Sequence, residues 1–336
     1  MPRKKTLTAA PVLYIVVYSN FEGFCTDPAR ARQGVEGFEQ LTARHPEIVW
    51  THMFNPIHLV GTGPKRQCGE VFVPYLRRLI QRQPLTEVGL HLHLFLSLVE
   101  ALGIKPRTEP RGDGTQPHTD GYDVLITGYP QSEREAIVGK CVAAFESAGL
   151  PRPTSFCTGY SATDPALQAY LDRTGFTTSF AAQVIPSGIP GVSHQPSWYK
   201  LLEWGENVTP LSRPYRVGTK SILPTPGGPY LDHLVEVPLT TDQDIRQLYL
   251  YHQPVSRRNI LDFHYELVRA TGRSSCVPFG VHDCYMEEGE MRGPVHAEMA
   301  ANLDHVRRII QRGDVRVEFA SASAVAHSVL TEPERW

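Results

Sequence analysis

A chain of 336 residues, 41% hydrophobic and 20% charged, holds enough apolar material for one large domain or two ordinary ones. Its net charge is −2 and its lysines and arginines are scattered, which excludes the basic stripe of a nucleic-acid binder, and no apolar run is long enough to span a bilayer. Six cysteines (Cys25, Cys68, Cys141, Cys157, Cys276, Cys284) show neither paired metal spacing nor a dense disulfide pattern, so the expectation is reduced thiols in a cytoplasmic protein. "MPRKK" followed by "APVLYIVVY" has the basic-then-apolar order of a signal peptide. The apolar run is short and β-branched, however, and no small-residue cleavage site follows it. The reading is a tail over 1–10 and a first buried strand over 11–18, apolar on both faces as a parallel sheet requires.

A helix is expected over 28–44, with Pro28 in its first turn and Asp27 as its cap. A strand follows at 48–54, then a mainly helical stretch at 69–83. "EVGLHLHLF" (87–95) is read as a strand over 87–94, and 105–121 as a polar loop. Ser132 with Glu135 three residues on forms a capping box for the next helix, which Gly149 stops. "TSFCTGY" (154–160) runs from strand into loop. "TDPALQAYLDRTG" has Asp164 as cap, Pro165 at the first helical position and Gly175 as terminator. Residues 185–230 are rich in proline, contain Trp198 and Trp204, and are expected to be an irregular excursion. Strands at 233–239 and 315–320, helices at 255–271 and 294–312, and "SSCVPFGVHDC" as strand then loop complete the chain.

Repeated strand–helix units imply a parallel sheet with helices outside. "GTGP" (61–64) lacks the lysine and spacing of a phosphate-binding loop. A (β/α) barrel therefore fits better than a nucleotide-binding fold, and its chemistry belongs at the C-terminal ends of the strands. Asn20 and Glu22 follow the first strand. His91 and His93 end another, Gly159 and Tyr160 follow a third, and His282 with Asp283 close a late one. Along a strand His91 and His93 share one face, leaving Leu90, Leu92 and Leu94 on the other. A same-face histidine pair at a strand end is half of a divalent-metal site, and a third ligand must come from elsewhere. Cys157 reads as a packed thiol rather than a nucleophile.

These residues resemble a known family. "EVGLHLHLF" is similar to the histidine motif of the polysaccharide deacetylases (carbohydrate esterases with a NodB-homology domain), in the branch whose strand ends in His-x-His. "GLPRPTSFCTGYSATDPALQAYLDRTGF", "SRPYRV…HLVEVPLT" and "FGVHDCY" resemble later segments of that family in the same order. The resemblance implies a distorted (β/α)7 barrel over 11–330 as a single domain. It also implies a divalent metal, usually zinc, and hydrolysis of an N-acetyl or related C–N bond. His91 and His93 match metal histidines, and His282 matches the histidine that protonates the leaving amine. The family carries aspartates at the end of its first strand, where this chain has Tyr18, Ser19 and Asn20. Glu22 is the only nearby acid, so it is the candidate third ligand and base, with Asp27 and Asp283 as fallback acids. The family's arginine before the turn glycine is replaced by Phe156-Cys157-Thr158.

Three classes of function follow. The first is a metal-dependent hydrolase acting on a small amino sugar or other soluble metabolite, with Asn20, Tyr160 and Trp198 as substrate-binding candidates. The second keeps the barrel but isomerises, epimerises or eliminates. The third is a non-catalytic binding protein. No nucleic-acid or membrane partner is expected, and a homo-oligomer stays open.

Overall fold

The computed structural model describes residues 10–111, 123–182, 207–209, 211–239, 254–282 and 294–336. Strand β1 (Val12–Phe21) is buried along its whole length. A strand covered on both faces belongs inside a parallel sheet, and β1 sits there. One edge pairs with β10 (Ser275–His282), and the other with β11 (Arg316–Phe319) and then β2 (Trp50–Phe54). The expected strand over 11–18 stops too early. Ser19 and Asn20 lie within it, because the Ser19 hydroxyl sits 2.6 Å from His52 Nδ1 on β2 and so is partnered when buried.

The remaining strands are β3 (Glu87–Leu92), β4 (Leu94–Phe95), β5 (Asp123–Val124), β6 (Ser155–Thr158), β7 (Thr178–Ser179), β8 (Tyr215–Gly218) and β9 (Tyr230–Glu236). The helices are α1 (Pro28–Arg44), α2 (Ile57–Val60), α3 (Gly63–Arg82), α4 (Leu96–Ala101), α5 (Gln131–Ser147), α6 (Pro165–Arg173), α7 (Pro254–Thr271), α8 (Pro294–Ile310) and α9 (Ala322–Thr331). The sheet runs in the order β10-β1-β2-β3-β6-β7-β9-β8. Neighbours are parallel from β10 to β9, and β8 closes the edge antiparallel to β9. This curled sheet of parallel strands is the distorted (β/α)7 architecture expected from the sequence.

Alternation along β1 divides the core. Leu13, Ile15, Val17 and Phe21 point outward and pack with Phe38 of α1, Phe72 of α3 and Phe145 of α5. Val12, Tyr14, Val16 and Tyr18 point inward and meet Phe180, Val235 and Val237, with Ala322, Val325 and Val329 of α9 filling the concave side. Chemistry-bearing residues at the strand ends therefore stand on an apolar floor. Tyr18 stacks on Phe180 at 5.6 Å between centroids. It also covers Gly280, where a Cβ would come within 2.1 Å of its ring.

The caps at Asp27 and Asp164 are formed: each side chain accepts a backbone N–H of its helix, from Ala29 and Leu167 respectively. The capping box at Ser132 is not. Helix α5 begins at Gln131 after Pro130, which leaves Ser132 inside its first turn. Strand β3 ends at Leu92, so His93 lies between β3 and β4 rather than in a strand over 87–94. The 185–230 segment is not wholly irregular: its described part contains β8 and reaches the start of β9, while 185–206 fall outside the described residues. The described cysteines (Cys25, Cys68, Cys141, Cys157 and Cys276) are buried and form no disulfide among the described residues, and Cys284 is outside the described residues. No helix among the described residues is long and apolar enough to cross a membrane.

Candidate functional site

Glu22 stands one residue past β1. The alternation that turns Tyr18 inward turns Asn20 and Glu22 the same way. The chain then bends at Gly23, whose φ of +94° is left-handed and whose missing Cβ would lie 2.7 Å from Ile57 Cγ2. Two strands away the same inward face carries His91, and His93 follows the end of β3. Their rings lie 4.9 Å apart at 64°. Glu22 Oε1 is 4.0 Å from His91 Nε2 and 3.8 Å from His93 Nε2. One donor atom from each of the three residues lies within 4.8 Å of the other two, and all three residues are buried.

A fourth residue stands behind this cluster. His93 Nδ1 makes a short hydrogen bond to the carboxylate of Asp123, which is 1% exposed. Asp123 opens β5, which pairs antiparallel with β4 so that Phe95 lies opposite it. With Nδ1 on Asp123, it is Nε2 that faces Glu22 and His91. Burial pulls the His93 imidazole toward its neutral form. Asp123 and Glu22 outweigh that effect, and its pKa is pushed up to about 10.

This donor set fits a divalent metal. Two imidazole nitrogens and a carboxylate oxygen are the ligand types of catalytic zinc, which keeps a fourth position open. Zinc bonds of about 2.0–2.1 Å in a tetrahedron put ligand atoms roughly 3.3–3.4 Å apart. The separations of 3.8 and 4.0 Å from Glu22 are within a side-chain adjustment of that. An ion here would take the place of a proton on His93 Nε2, on the side facing Glu22, and leave Nδ1–H on Asp123.

The other expected site residues are placed as follows. Asn20 is 3% exposed, and its Oδ1 has no hydrogen-bond partner among the described residues. It lies inside β1, opposite His282 on β10 and Met53 on β2. His282 is the last residue of β10. Asp283, Trp198 and Trp204 fall outside the described residues. Tyr160 follows β6, with its ring 5.2 Å from that of His93 and edge-on to it. Both Tyr160 and Ser161 have a φ of +57°, a strained left-handed conformation of the kind that clusters at functional sites. Gly159 before them is required: a Cβ there would sit 2.6 Å from His93 Nδ1. Cys157, opposite His91 in the β3–β6 register, is 3% exposed within the inner core, its Sγ 3.5 Å from the Phe180 carbonyl. Asp27 belongs to the α1 cap and not to the site.

Two residues of the neighbourhood escape a sequence reading. Asp123 lies two residues past the segment read as a polar loop, and only "DVLI", an acid opening an apolar run, hints at it. Asn55 looks like a turn residue before Pro56, yet it is completely buried beside Glu22 and His93.

No protein-family model matches this chain, and no curated protein matches it. Solved structures do. A Mycobacterium smegmatis protein assigned as a polysaccharide deacetylase is similar with a TM-score of 0.55 and 12% identity, over 97% of this chain and 95% of that one. A Parabacteroides distasonis protein assigned as a glycoside hydrolase/deacetylase is similar with a TM-score of 0.57 and 12% identity, over 99% of this chain and 75% of that one. At such identities the likeness speaks for the fold, which agrees with the order of motifs read along the sequence: this chain carries the polysaccharide deacetylase fold.

Proposed function

We propose that this protein is a metal-dependent hydrolase that removes an N-acetyl or related acyl group from the amine of a small amino sugar or similar soluble metabolite. The observation that carries the reading is the buried Glu22–His91–His93 cluster at the C-terminal ends of parallel strands, with Asp123 behind His93. We take residues 11–330 as one catalytic domain. His91, His93 and Glu22 hold the ion, zinc by the chemistry of the donor set. Bound there, it supplies Lewis acidity to the amide carbonyl.

The chain's own residues do the rest. Glu22 would help hold the ion, and its carboxylate takes a proton from the attacking water as the water oxygen bonds to the carbonyl carbon. Asp123 fixes the His93 ring by holding its Nδ1 proton. Asn20 Oδ1 accepts an N–H or O–H of the substrate, and Tyr160 covers the opening beside His93. When the C–N bond breaks, the amine nitrogen must gain a proton, because an amide anion is too basic to depart near neutrality. His282, at the end of β10 opposite Asn20, delivers it, with Asp283 as its neighbouring acid. The products are a carboxylate and a free amine.

Asn20 also favours a second reading. An amide cannot serve as a base, and it occupies the strand end where an aspartate is expected. With Glu22 committed to the ion, the site would move protons without hydrolysis, as an isomerase or epimerase does.

The test is direct. Zinc-loaded protein is incubated with a panel of N-acetylated amino sugars and free acetate is measured. Acetate release that stops on chelation and returns with zinc supports hydrolysis. Substrate converted to a product of equal mass, with no acetate, favours the second reading.

A further inference from the structure

The cluster needs its three ligands held at fixed separation, yet Glu22 and His93 both lie just outside strands, where the ladder no longer fixes them. One side chain joins them. Asn55 follows β2, the strand between β1 and β3, and is completely buried. Its Nδ2 donates to the backbone carbonyl of Glu22 at 2.9 Å and to that of His93 at 3.3 Å. Its Oδ1 accepts the Ile57 N–H at 3.0 Å, so the amide is oriented with its donors toward the two ligands. Its backbone N–H donates to the Phe21 carbonyl at 2.9 Å, which ties it to the residue before Glu22. Gly23 lies flat against it: a Cβ there would be 3.2 Å from Asn55 Cγ.

Lys65 of α3 holds the next carbonyl. It is 6% exposed, and its Nζ donates to the Gly23 carbonyl while lying 4.2 Å from the Phe95 ring centroid. Two side chains, one just past β2 and one in the first turn of α3, therefore grip successive carbonyls of the turn that carries Glu22.

We infer that Asn55, supported by Lys65, is a positioning residue that sets the spacing between Glu22 and His93 and thereby the affinity for the metal ion. Asn55 touches neither ion nor substrate. It acts through the backbone of the two ligands, as outer hydrogen-bond partners of metal ligands do. Asparagine is suited to the task because its NH2 supplies two donors at once while its oxygen accepts. Aspartate, the same size, would bring an oxygen against two carbonyl oxygens. The inference rests on the metal reading above.

The experiment measures zinc affinity by competition with a chromophoric chelator in wild type, Asn55→Asp, Asn55→Leu, Lys65→Met and Ser19→Ala. Thermal unfolding is followed on the same samples. Ser19→Ala is the control: it removes a buried hydrogen bond between β1 and β2, Ser19 to His52, without touching a ligand carbonyl. The expected result is a loss of about 10–100-fold in zinc affinity for both Asn55 variants. Lys65→Met falls in the same direction, and Ser19→Ala loses stability but keeps wild-type affinity. Folded Asn55 variants that bind zinc as wild type does overturn the inference and leave the metal reading intact. Equal affinity losses in Ser19→Ala and the Asn55 variants also overturn it, since the effect would then be general loosening. Should Asn55→Leu not fold, Asn55→Asp and Lys65→Met decide by the same criterion. A wild-type protein that binds no zinc overturns the metal reading, and this inference falls with it.

Discussion

Asp123 accepts the Nδ1 proton of His93, and this bond decides which nitrogen of the ring faces Glu22 and His91. Without it the ring could present N–H to the cluster instead of a lone pair. The carboxylate also raises the basicity of the ligand nitrogen. Asp123→Ala should lower zinc affinity by about 10–100-fold. Asp123→Asn should lower it less, because an amide oxygen still accepts the Nδ1 proton. Chelator competition on the two variants checks the order. Equal losses would mean that the charge matters and the tautomer does not.

His282 is expected to serve proton delivery rather than metal binding. It ends β10, which β1 and β2 separate from β3, the strand that carries His91 and leads into His93. His282→Ala should reduce turnover by about 10²–10⁴-fold with zinc content unchanged, whereas His91→Ala should lose both. A His282→Ala protein purified without zinc would make His282 a ligand.

Glu236 gives the fold a pH dependence of its own. It is fully buried on β9, where its Oε1 accepts the N–H groups of Ala181 at 2.8 Å and Ala182 at 2.7 Å. Burial outweighs these bonds and raises its pKa to about 7, from an ordinary value of 4.5. Between those two values the folded state binds a proton that the unfolded state has released. Stability contributed by this group is therefore full below about pH 4.5 and falls as pH rises through about 7. Melting temperatures of wild type and Glu236→Gln, compared from pH 4 to pH 8.5, should diverge across that window, with the wild type losing ground as pH rises. Parallel curves would show that Glu236 is ionised throughout.

Much of this was legible in the sequence, for physical reasons that differ by element. Helices α1 and α6 announce themselves because Asp27-Pro28 and Asp164-Pro165 satisfy the first turn locally. The shared face of His91 and His93 was legible because alternation is a property of the backbone, whereas Glu22 was marked out as the only acid near the end of the first strand and not by its direction. The end of β1 was not: Ser19 looks like the end of an apolar run until His52, 33 residues later, supplies its hydrogen-bond partner. Asp123 and Asn55 were missed for the same reason, since each acts on residues more than 29 positions away in the chain, and local pattern carries no trace of that. The capping box at Ser132 failed because Pro130 takes the cap position and α5 begins at Gln131, two residues before the start that the box implies.

The central claim is that Glu22, His91 and His93 hold one divalent ion. It is tested most directly by elemental analysis of protein purified without chelator and then dialysed against zinc, comparing wild type with Glu22→Gln, His91→Ala and His93→Ala. The account predicts close to one equivalent of zinc per chain in wild type, a sharp fall in both histidine variants and a weaker but clear fall in Glu22→Gln, with all four proteins folded. A wild type without bound zinc, or histidine variants that retain the full equivalent, would contradict it.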